Sequence, residues 1–318
     1  MRRALVTGAS GLVGSWLVRA LIERGDEVVV VQRGDPGLAL AGLGVDVLRG
    51  DVRDVDVMAR AAAGAQLAFH LAGQVLVRAA SRSPAATFDV NVRGTWTVLE
   101  ACLQAGVARV VVASSQEAYG PSEQLPFVER QPLLASTPYG ASKAAAEVIC
   151  GSYWRTYGLP VCITRCANTY GGGDANHSRI VPGALQAAVA GRRPVIQSDG
   201  TSRRDFLYVE DAVRAMLMLA DAGPSVDGEA FNVGGPQQAS VLEVVQMVCE
   251  QVGVPFEPLI RSAVASDERY LDCSKLAGCC GWEARWSLAE GIRRTVAWQP
   301  RTAAEPTALQ DRRAQRLA

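Results

Sequence analysis

The sequence predicts an α/β fold: a doubly wound parallel sheet with a smaller C-terminal α/β domain. Three observations predict it. Short apolar runs recur without polar alternation, each run is followed by a segment of helical periodicity, and a glycine-rich turn joins the first such pair. Strands that are apolar on both faces are typical of a parallel sheet covered by helices on both sides.

The strand and helix segments alternate in order through the first half of the chain. "ALVT" precedes "GLVGSWLVRALIERG", "EVVVVQ" precedes a short helical piece, and "VDVLRGD" precedes "VDVMARAAAG". "LAFHLAG" is followed by a long helical segment, "ARVVVASS" by "PYGASKAAAEVICGSYWRTYG", and "PVCITRC" comes last. This succession predicts a first domain over residues 1–166.

The elements become shorter and more mixed after residue 166. "YGGGDANHS" indicates a loop, "RPVIQSDGTSRRDFLYV" two short strands around a turn, and "AFNVGG" another strand. The periodicity predicts helices over 178–190, 209–221, about 240–252 and about 287–298. Residues 167–300 are therefore predicted to form mainly a smaller domain over the carboxyl edge of the sheet, with some segments returning to the first domain. The polar stretch 301–318 is predicted to be disordered.

Composition limits the partners of the chain. Its 318 residues include 32 basic and 32 acidic side chains, which argues against nucleic acid or an anionic membrane as a partner. The apolar runs have strand length and the N-terminus lacks a signal-peptide core, so a soluble cytoplasmic protein is expected. The eight cysteines are expected to be reduced, and with only two histidines no metal site is expected.

The motif "VTGASGLVG" places Gly8, Gly11 and Gly14 between the first strand and the first helix. Glycines there let the backbone turn tightly and approach a pyrophosphate at the helix N-terminus. In a doubly wound domain this predicts dinucleotide binding, although a plain strand-to-helix turn is the alternative. The second strand ends in Gln32 and Arg33 instead of an acidic residue, which favours NADP over NAD; NAD remains if Arg33 only stacks on the adenine.

Tyr139 and Lys143 in "PYGASK" are four residues apart near the start of a helix, and therefore share one face of it. Only two of the 32 basic residues are lysines, which makes a chance pairing with tyrosine rare. An ammonium group and a nicotinamide charge nearby both favour the phenolate, so Tyr139 is a candidate general base.

These motifs resemble the short-chain dehydrogenase/reductase superfamily, in particular its extended branch of nucleotide-sugar epimerases and dehydratases. The similarity extends over nearly all of residues 1–300 and includes "GDVRD", "HLAG", "NVRGT", "RCANTYGGG", "RRDFLYVEDAV" and "FNVGG". "HLAGQVLVR", "ANTYGGGDANHSRIVP" and "YLDCSK" are most similar to the CDP-glucose 4,6-dehydratase group.

The resemblance implies a Rossmann domain with NAD(P), a nucleotide-diphosphate sugar substrate and a homodimer built on helices near 84–105 and 138–157. It also implies a set of cofactor contacts: Gly8, Ser10, Gly11, Leu12, Gly14, Arg33, Asp51, Val52, Leu71, Ala72, Asn91, Tyr139 and Lys143. By the same resemblance Tyr139 removes the proton of the C4 hydroxyl while Ser115 bonds that oxygen. The implied substrate contacts are Gln116, Asn168, Arg204 and Arg269, the two arginines on the diphosphate.

The residues after Ser115 separate the chemistries of the resembled branch. Many dehydratases have Asp-Glu there and the CDP-glucose group has Asp-Lys, whereas this chain has Gln116 and Glu117. Gln116 cannot donate a proton, but Glu117 can still remove the C5 proton and pass it to the C6 oxygen. The sequence favours a 4,6-dehydratase and leaves open a C4 epimerase, a uronate decarboxylase and a non-catalytic dinucleotide sensor.

Overall fold

The computed structural model describes residues 1–34, 37–264 and 267–298. The predicted disordered tail, residues 301–318, lies outside the described residues. No helix within the described ranges is both long and apolar enough to cross a bilayer.

A seven-stranded parallel sheet forms the centre of the fold, as the apolar runs predict. Its strand order is β10-β6-β5-β4-β1-β2-β3, with bounds β1 Arg3–Thr7, β2 Glu27–Gln32, β3 Asp46–Arg49, β4 Leu67–His70, β5 Arg109–Ser115, β6 Val161–Cys166 and β10 Ala230–Val233. The order reverses between β1 and β4. Ligands of open α/β sheets bind at the carboxyl edge beside such a reversal, which is therefore where the site is expected.

Helices cover both faces of this sheet. Their bounds in the first half of the chain are α1 Leu12–Glu23, α2 Gly37–Leu40, α3 Val55–Ala62, α4 Val77–Arg82, α5 Pro84–Phe88, α6 Gly94–Gln104 and α7 Pro138–Tyr157. The predicted long helix before β5 is divided, because α5 and α6 are joined by a π-helical turn, Asp89–Arg93. Such turns are rare and are frequent at functional sites.

The smaller part of the molecule contains two small sheets. One has the order β11-β9-β7, with β7 Asn168–Tyr170, β9 Arg203–Tyr208 and β11 Gln238–Ser240, and the other pairs β8 Val195–Ile196 with β12 Leu259–Ile260. The remaining helices are α8 Ile180–Val189, α9 Val209–Asp221, α10 Val241–Val252, α11 Ser274–Cys280 and α12 Leu288–Ala297. Of these, α9 packs against α1 and the large sheet. The helix predictions are close to these bounds.

The two short strands predicted around a turn are β8 and β9, and each pairs elsewhere: β8 with β12, and β9 with β7 and β11. Several short elements were not predicted, among them β7, β11, β12 and α11. Strands of two or three residues are determined by tertiary pairing more than by local sequence.

Candidate active site

The glycine-rich turn between β1 and α1 has the shape that a pyrophosphate requires. Gly8 has a φ of +72°, and a Cβ on it would lie 2.6 Å from the carbonyl carbon of Leu71. A Cβ on Gly14 would lie 2.2 Å from the carbonyl oxygen of Gly8. The helix starts after Gly11 without a side-chain cap, which leaves its first N–H groups free for an anion. These backbone features fit a dinucleotide cofactor.

The ends of β2 and β3 lie beside this turn. Gln32 Nε2 donates to Ser10 Oγ at 2.9 Å, and the side chain of Arg33 is exposed. Asp51 accepts from Arg53 with both carboxylate oxygens at 2.9 Å, and these bonds lower the pKa of Asp51. Arg53 also bonds Asp89. Arg53 was not singled out from the sequence, although it stands within the quoted "GDVRD".

The other predicted cofactor contacts follow the carboxyl ends of their strands or stand in the π-helical turn: Leu12, Val52, Leu71, Ala72 and Asn91. Asn91 accepts from the Gln74 backbone N–H at 2.6 Å and donates to Ser142 Oγ at 2.8 Å. A Cβ on Gly73 would lie 2.9 Å from Asn91 Oδ1 and 3.7 Å from Lys143 Nζ. The π-helical turn therefore stands next to the predicted catalytic lysine.

His70 connects these backbone turns in its neutral form. Its Nδ1 lies 2.8 Å from Thr7 Oγ1 and its Nε2 3.1 Å from Thr95 Oγ1. Thr95 donates its own proton to the Asn91 carbonyl, so it accepts from Nε2–H, which fixes the tautomer. Burial, with a further contribution from Lys143, lowers the pKa of His70 to about 3.

Ser115, Tyr139 and Lys143 come together at the carboxyl end of β5. Ser115 ends that strand and hydrogen-bonds the Tyr139 phenol. Tyr139 stands in the first turn of α7, which Thr137 caps by accepting from the Gly140 N–H at 3.1 Å. A Cβ on Gly140 would lie 2.3 Å from the carbonyl oxygen of Glu117, so only glycine lets α7 approach the segment after β5 this closely.

The electrostatics of this trio differ from the sequence prediction. Burial raises the pKa of Tyr139 to about 12, and the Ser115 hydrogen bond only partly opposes it. Lys143 directs its Nζ to the Ala113 carbonyl oxygen at 2.7 Å, and burial lowers its pKa to about 8. The side chains alone therefore keep the phenol protonated at neutral pH, because desolvation of the phenolate outweighs the stabilisation that its neighbours provide.

Gln116 and Glu117 follow Ser115 in a short 3-10 turn, Gln116–Ala118. The Gln116 side chain is 1% exposed, and its Oε1 has no hydrogen-bond partner among the described residues. Glu117 Oε2 lies 2.7 Å from Arg269 Nη1. The Glu117 charge also acts on Tyr139, whose pKa it raises.

Arg204 and Arg269 stand side by side on adjacent backbone segments that form an isolated parallel bridge. Burial and the charge of Arg269 lower the pKa of Arg204, whose Nε is buried without a partner within the described chain. Two like charges this close call for an anionic ligand. The structure thus brings together both arginines and Glu117, which the sequence analysis singled out separately.

Two further residues belong to the edge of this site. Asn168, a predicted substrate contact, starts β7 in register with Phe206. Arg179 lies at the start of α8, donates to Asp174 at 3.1 Å, and lowers the pKa of Tyr139 through its charge. Arg179 was not predicted, although "NHSRIVP" contains it. Within the described residues, no group of three His, Cys, Asp or Glu side chains is arranged to hold a metal ion.

Comparison with known proteins gives a consistent picture. The model of the NAD dependent epimerase/dehydratase family matches residues 4–234. A dTDP-glucose 4,6-dehydratase of Streptomyces antibioticus is 33% identical over 92% of this chain and 91% of the relative. A UDP-glucose 4-epimerase of Mycolicibacterium smegmatis is 34% identical over 92% of this chain and 97% of the relative.

The fold is also similar to that of a relative whose structure has been solved. The crystal structure of a dTDP-glucose 4,6-dehydratase from Streptomyces venezuelae with NAD bound superposes with a TM-score of 0.86 at 31% identity, covering 93% of this chain and 96% of that one. These matches support NAD and do not support the predicted preference for NADP. They also do not support the predicted similarity to the CDP-glucose group.

Proposed function

The chain belongs to the NAD-dependent epimerase/dehydratase family, and from that membership we propose that it is a nucleotide-sugar 4,6-dehydratase. It oxidises the hexose at C4 with bound NAD and removes water between C5 and C6. The observation that carries this proposal is the Glu117 carboxylate, which lies against Arg269 and acts on Tyr139 through its charge.

Tyr139, Ser115 and Lys143 carry out the first step. Bound NAD would supply the acceptor for the C4 hydride and the source of its return, to C6 in a dehydration or to C4 in an epimerisation. Tyr139 removes the proton of the C4 hydroxyl, and Ser115 holds that oxygen with the hydroxyl that also bonds the phenol. Lys143 contributes a positive charge near the phenol and the cofactor.

Glu117 carries out the elimination. Oxidation at C4 acidifies the C5 proton, which the Glu117 carboxylate removes. Gln116 has no acidic proton, so Glu117 itself transfers the proton to the C6 oxygen, and one water leaves. When the hydride returns to C6, Glu117 protonates C5 with a proton taken from solvent. Arg269, whose Nη1 lies 2.7 Å from Glu117 Oε2, holds this carboxylate in place.

A C4 epimerase is the second candidate, and the Gln116 side chain favours it. Dehydratases that use a separate acid need a proton donor at this position, whereas Gln116 is a buried amide with an unpartnered oxygen. Epimerisation requires only Tyr139, Ser115, Lys143 and the cofactor.

Arg204 and Arg269 hold the diphosphate of the substrate, and Asn168 contacts it from β7. The unpartnered Nε of Arg204 supplies a donor for a phosphate oxygen. Residues 1–166 hold mainly the cofactor and residues 167–300 mainly the nucleotide sugar, with β10 returning to the large sheet.

The protein is also proposed to be a homodimer through α6 and α7. These helices expose large apolar side chains, Trp96, Val148 and Tyr157. Trp96→Glu should convert the dimer to a monomer in light scattering, whereas Val189→Glu, on the exposed face of α8, should not. An unchanged mass for Trp96→Glu would exclude α6 from the interface.

The function is tested by mass spectrometry of the product after incubation with UDP-, GDP-, CDP-, ADP- and dTDP-hexoses in deuterated water. A dehydratase gives a product lighter by one water that carries solvent deuterium at C5. An epimerase gives a stereoisomer of unchanged mass. Glu117→Gln should abolish the loss of water while the oxidation of C4 is still detectable as reduced cofactor. A dehydration that survives this substitution would contradict the role of Glu117.

A further inference from the structure

Glu147 is a buried carboxylate without a role in the steps above. It lies one helical turn beyond Lys143 in α7 and is 7% exposed. Arg165 donates to it through Nε at 3.0 Å and through Nη2 at 2.7 Å. The Ser114 hydroxyl donates to its other oxygen. One carboxylate therefore connects α7 to the carboxyl ends of both β5 and β6.

The partners of Glu147 are fixed in turn. Arg165 stands opposite Ser114 in the register of the two strands. Its Nη1 donates to Tyr119 Oη at 2.8 Å, and the Tyr119 hydroxyl donates to Asn232 Oδ1 at 2.7 Å. A buried ion pair of this kind seldom adds stability over a well-packed apolar pair. Its presence beside the active site therefore suggests a functional reason.

The Glu147 carboxylate acts on the ammonium group of Lys143. It shares a face of α7 with Glu147 because the two are four residues apart. Burial lowers the pKa of Lys143 to about 8, and Glu147 is the largest influence that raises it. The other groups that face Lys143 are Tyr139, His70, Cys150 and Cys166. Burial raises the pKa of Tyr139 and both thiols and lowers that of His70, which leaves all four uncharged at neutral pH.

We propose that Glu147 is a positioning residue: with Arg165 and Ser114 it fixes α7 against the ends of β5 and β6, and its charge keeps Lys143 protonated. The functional consequence rests on the proposed function, since it is the ammonium form of Lys143 that acts on Tyr139 and the cofactor.

The composition of the chain allows a direct measurement. Lys143 and Lys275 are its only lysines, so NMR of protein labelled with ¹³C at lysine Cε gives two signals, which Lys275→Arg assigns. In the wild type the Lys143 signal should titrate with a midpoint near pH 8. In Glu147→Gln the midpoint should fall by about one pH unit, a tenfold loss of proton affinity. Glu147→Asp should restore most of the difference.

A matched control is provided by the second lysine. Lys275 Nζ lies 2.6 Å from Glu229 Oε2, so Glu229→Gln removes a carboxylate beside the other lysine and should leave the Lys143 midpoint in place. Should Glu147→Gln fail to fold because Arg165 is left unpaired, Glu147→Asp keeps a carboxylate for Arg165 and, by drawing it back from Lys143, should still place the Lys143 midpoint below that of the wild type. A Lys143 midpoint that stays at the wild-type value in a folded variant would overturn the proposal. Because no sugar is needed, an enzyme inactive on every hexose would contradict the proposed function only.

Discussion

The carboxylate of Glu117 lies 2.7 Å from the guanidinium of Arg269, at the point where the proposed base and the proposed diphosphate site meet. Both side chains are largely buried, at 17% and 8% exposure, so the pair is stronger than one in open solvent. An incoming diphosphate would share or replace Glu117 as the partner of Arg269. Binding of the substrate diphosphate is thereby coupled to release of the Glu117 carboxylate from Arg269.

Arg269→Gln should weaken binding of UDP and dTDP by about 10- to 100-fold, because hydrogen bonds to charged groups contribute about 1.5–3 kcal/mol. Calorimetric titration with the two nucleotides measures this without turnover. Arg203→Gln is the control, since the Arg203 side chain is 46% exposed and paired with Glu243. Equal losses in both variants would show that the effect is general surface charge.

Gly14→Ala should weaken NAD binding at least about tenfold, because overpacking costs about 1–3 kcal/mol and the new Cβ is directed at the Gly8 carbonyl. The turn must shift to relieve a 2.2 Å contact. Gly44→Ala is the matched control, since a Cβ there meets nothing within 4 Å. Fluorescence titration with NAD compares the two. Wild-type affinity in Gly14→Ala would mean that the turn does not hold the cofactor.

Acid should destabilise the protein through His70. Its pKa is about 3 in the folded chain against an ordinary 6.5, so below pH 6.5 the unfolded chain binds the extra proton. The stability present above pH 6.5 is therefore lost as the pH falls towards 3, by about 1.4 kcal/mol per unit.

His70→Asn should flatten that dependence between pH 6.5 and 4 in urea unfolding experiments, although it lowers stability at pH 7 by removing bonds to Thr7 and Thr95. His177→Asn, at an exposed position, should follow the wild-type curve. A His70→Asn curve parallel to the wild type would mean that His70 takes up a proton while folded.

The features that local sequence could predict are those in which neighbouring residues carry the signal. The apolar runs predicted the parallel sheet, and their alternation with helical segments predicted helices on both of its faces. Spacing within one helix also predicted that Tyr139 and Lys143 share a face.

The interactions that sequence could not predict join distant segments. The Glu117–Arg269 pair depends on how the smaller part of the molecule folds over the sheet, and Glu147 looked like any polar residue of α7. The sequence analysis expected a lowered pKa for Tyr139, and this is wrong for the protein without its cofactor. Burial is the largest influence on the pKa of Tyr139, and it cannot be estimated before the fold is known.

Tyr139 should become a base only when NAD is bound. The protein alone holds its pKa at about 12, whereas the positive charge of oxidised nicotinamide favours the phenolate. Ultraviolet difference titration between pH 8 and 10.5 detects tyrosinate, and the contribution of Tyr139 is the signal missing from Tyr139→Phe.

Without NAD the tyrosinate signal of Tyr139 should be absent between pH 8 and 10.5. With saturating NAD it should appear within that pH range. Tyr139→Phe itself supplies the control, because its tyrosinate signal should not change when NAD is added. Turnover of the substrate by Tyr139→Phe should fall by about 10²- to 10⁴-fold, as for loss of a general base. A Tyr139 signal that remains absent with NAD bound would contradict the role of Tyr139 as acceptor of the C4 hydroxyl proton. Lys143 could not replace it as the base, because its pKa of about 8 keeps it cationic at neutral pH.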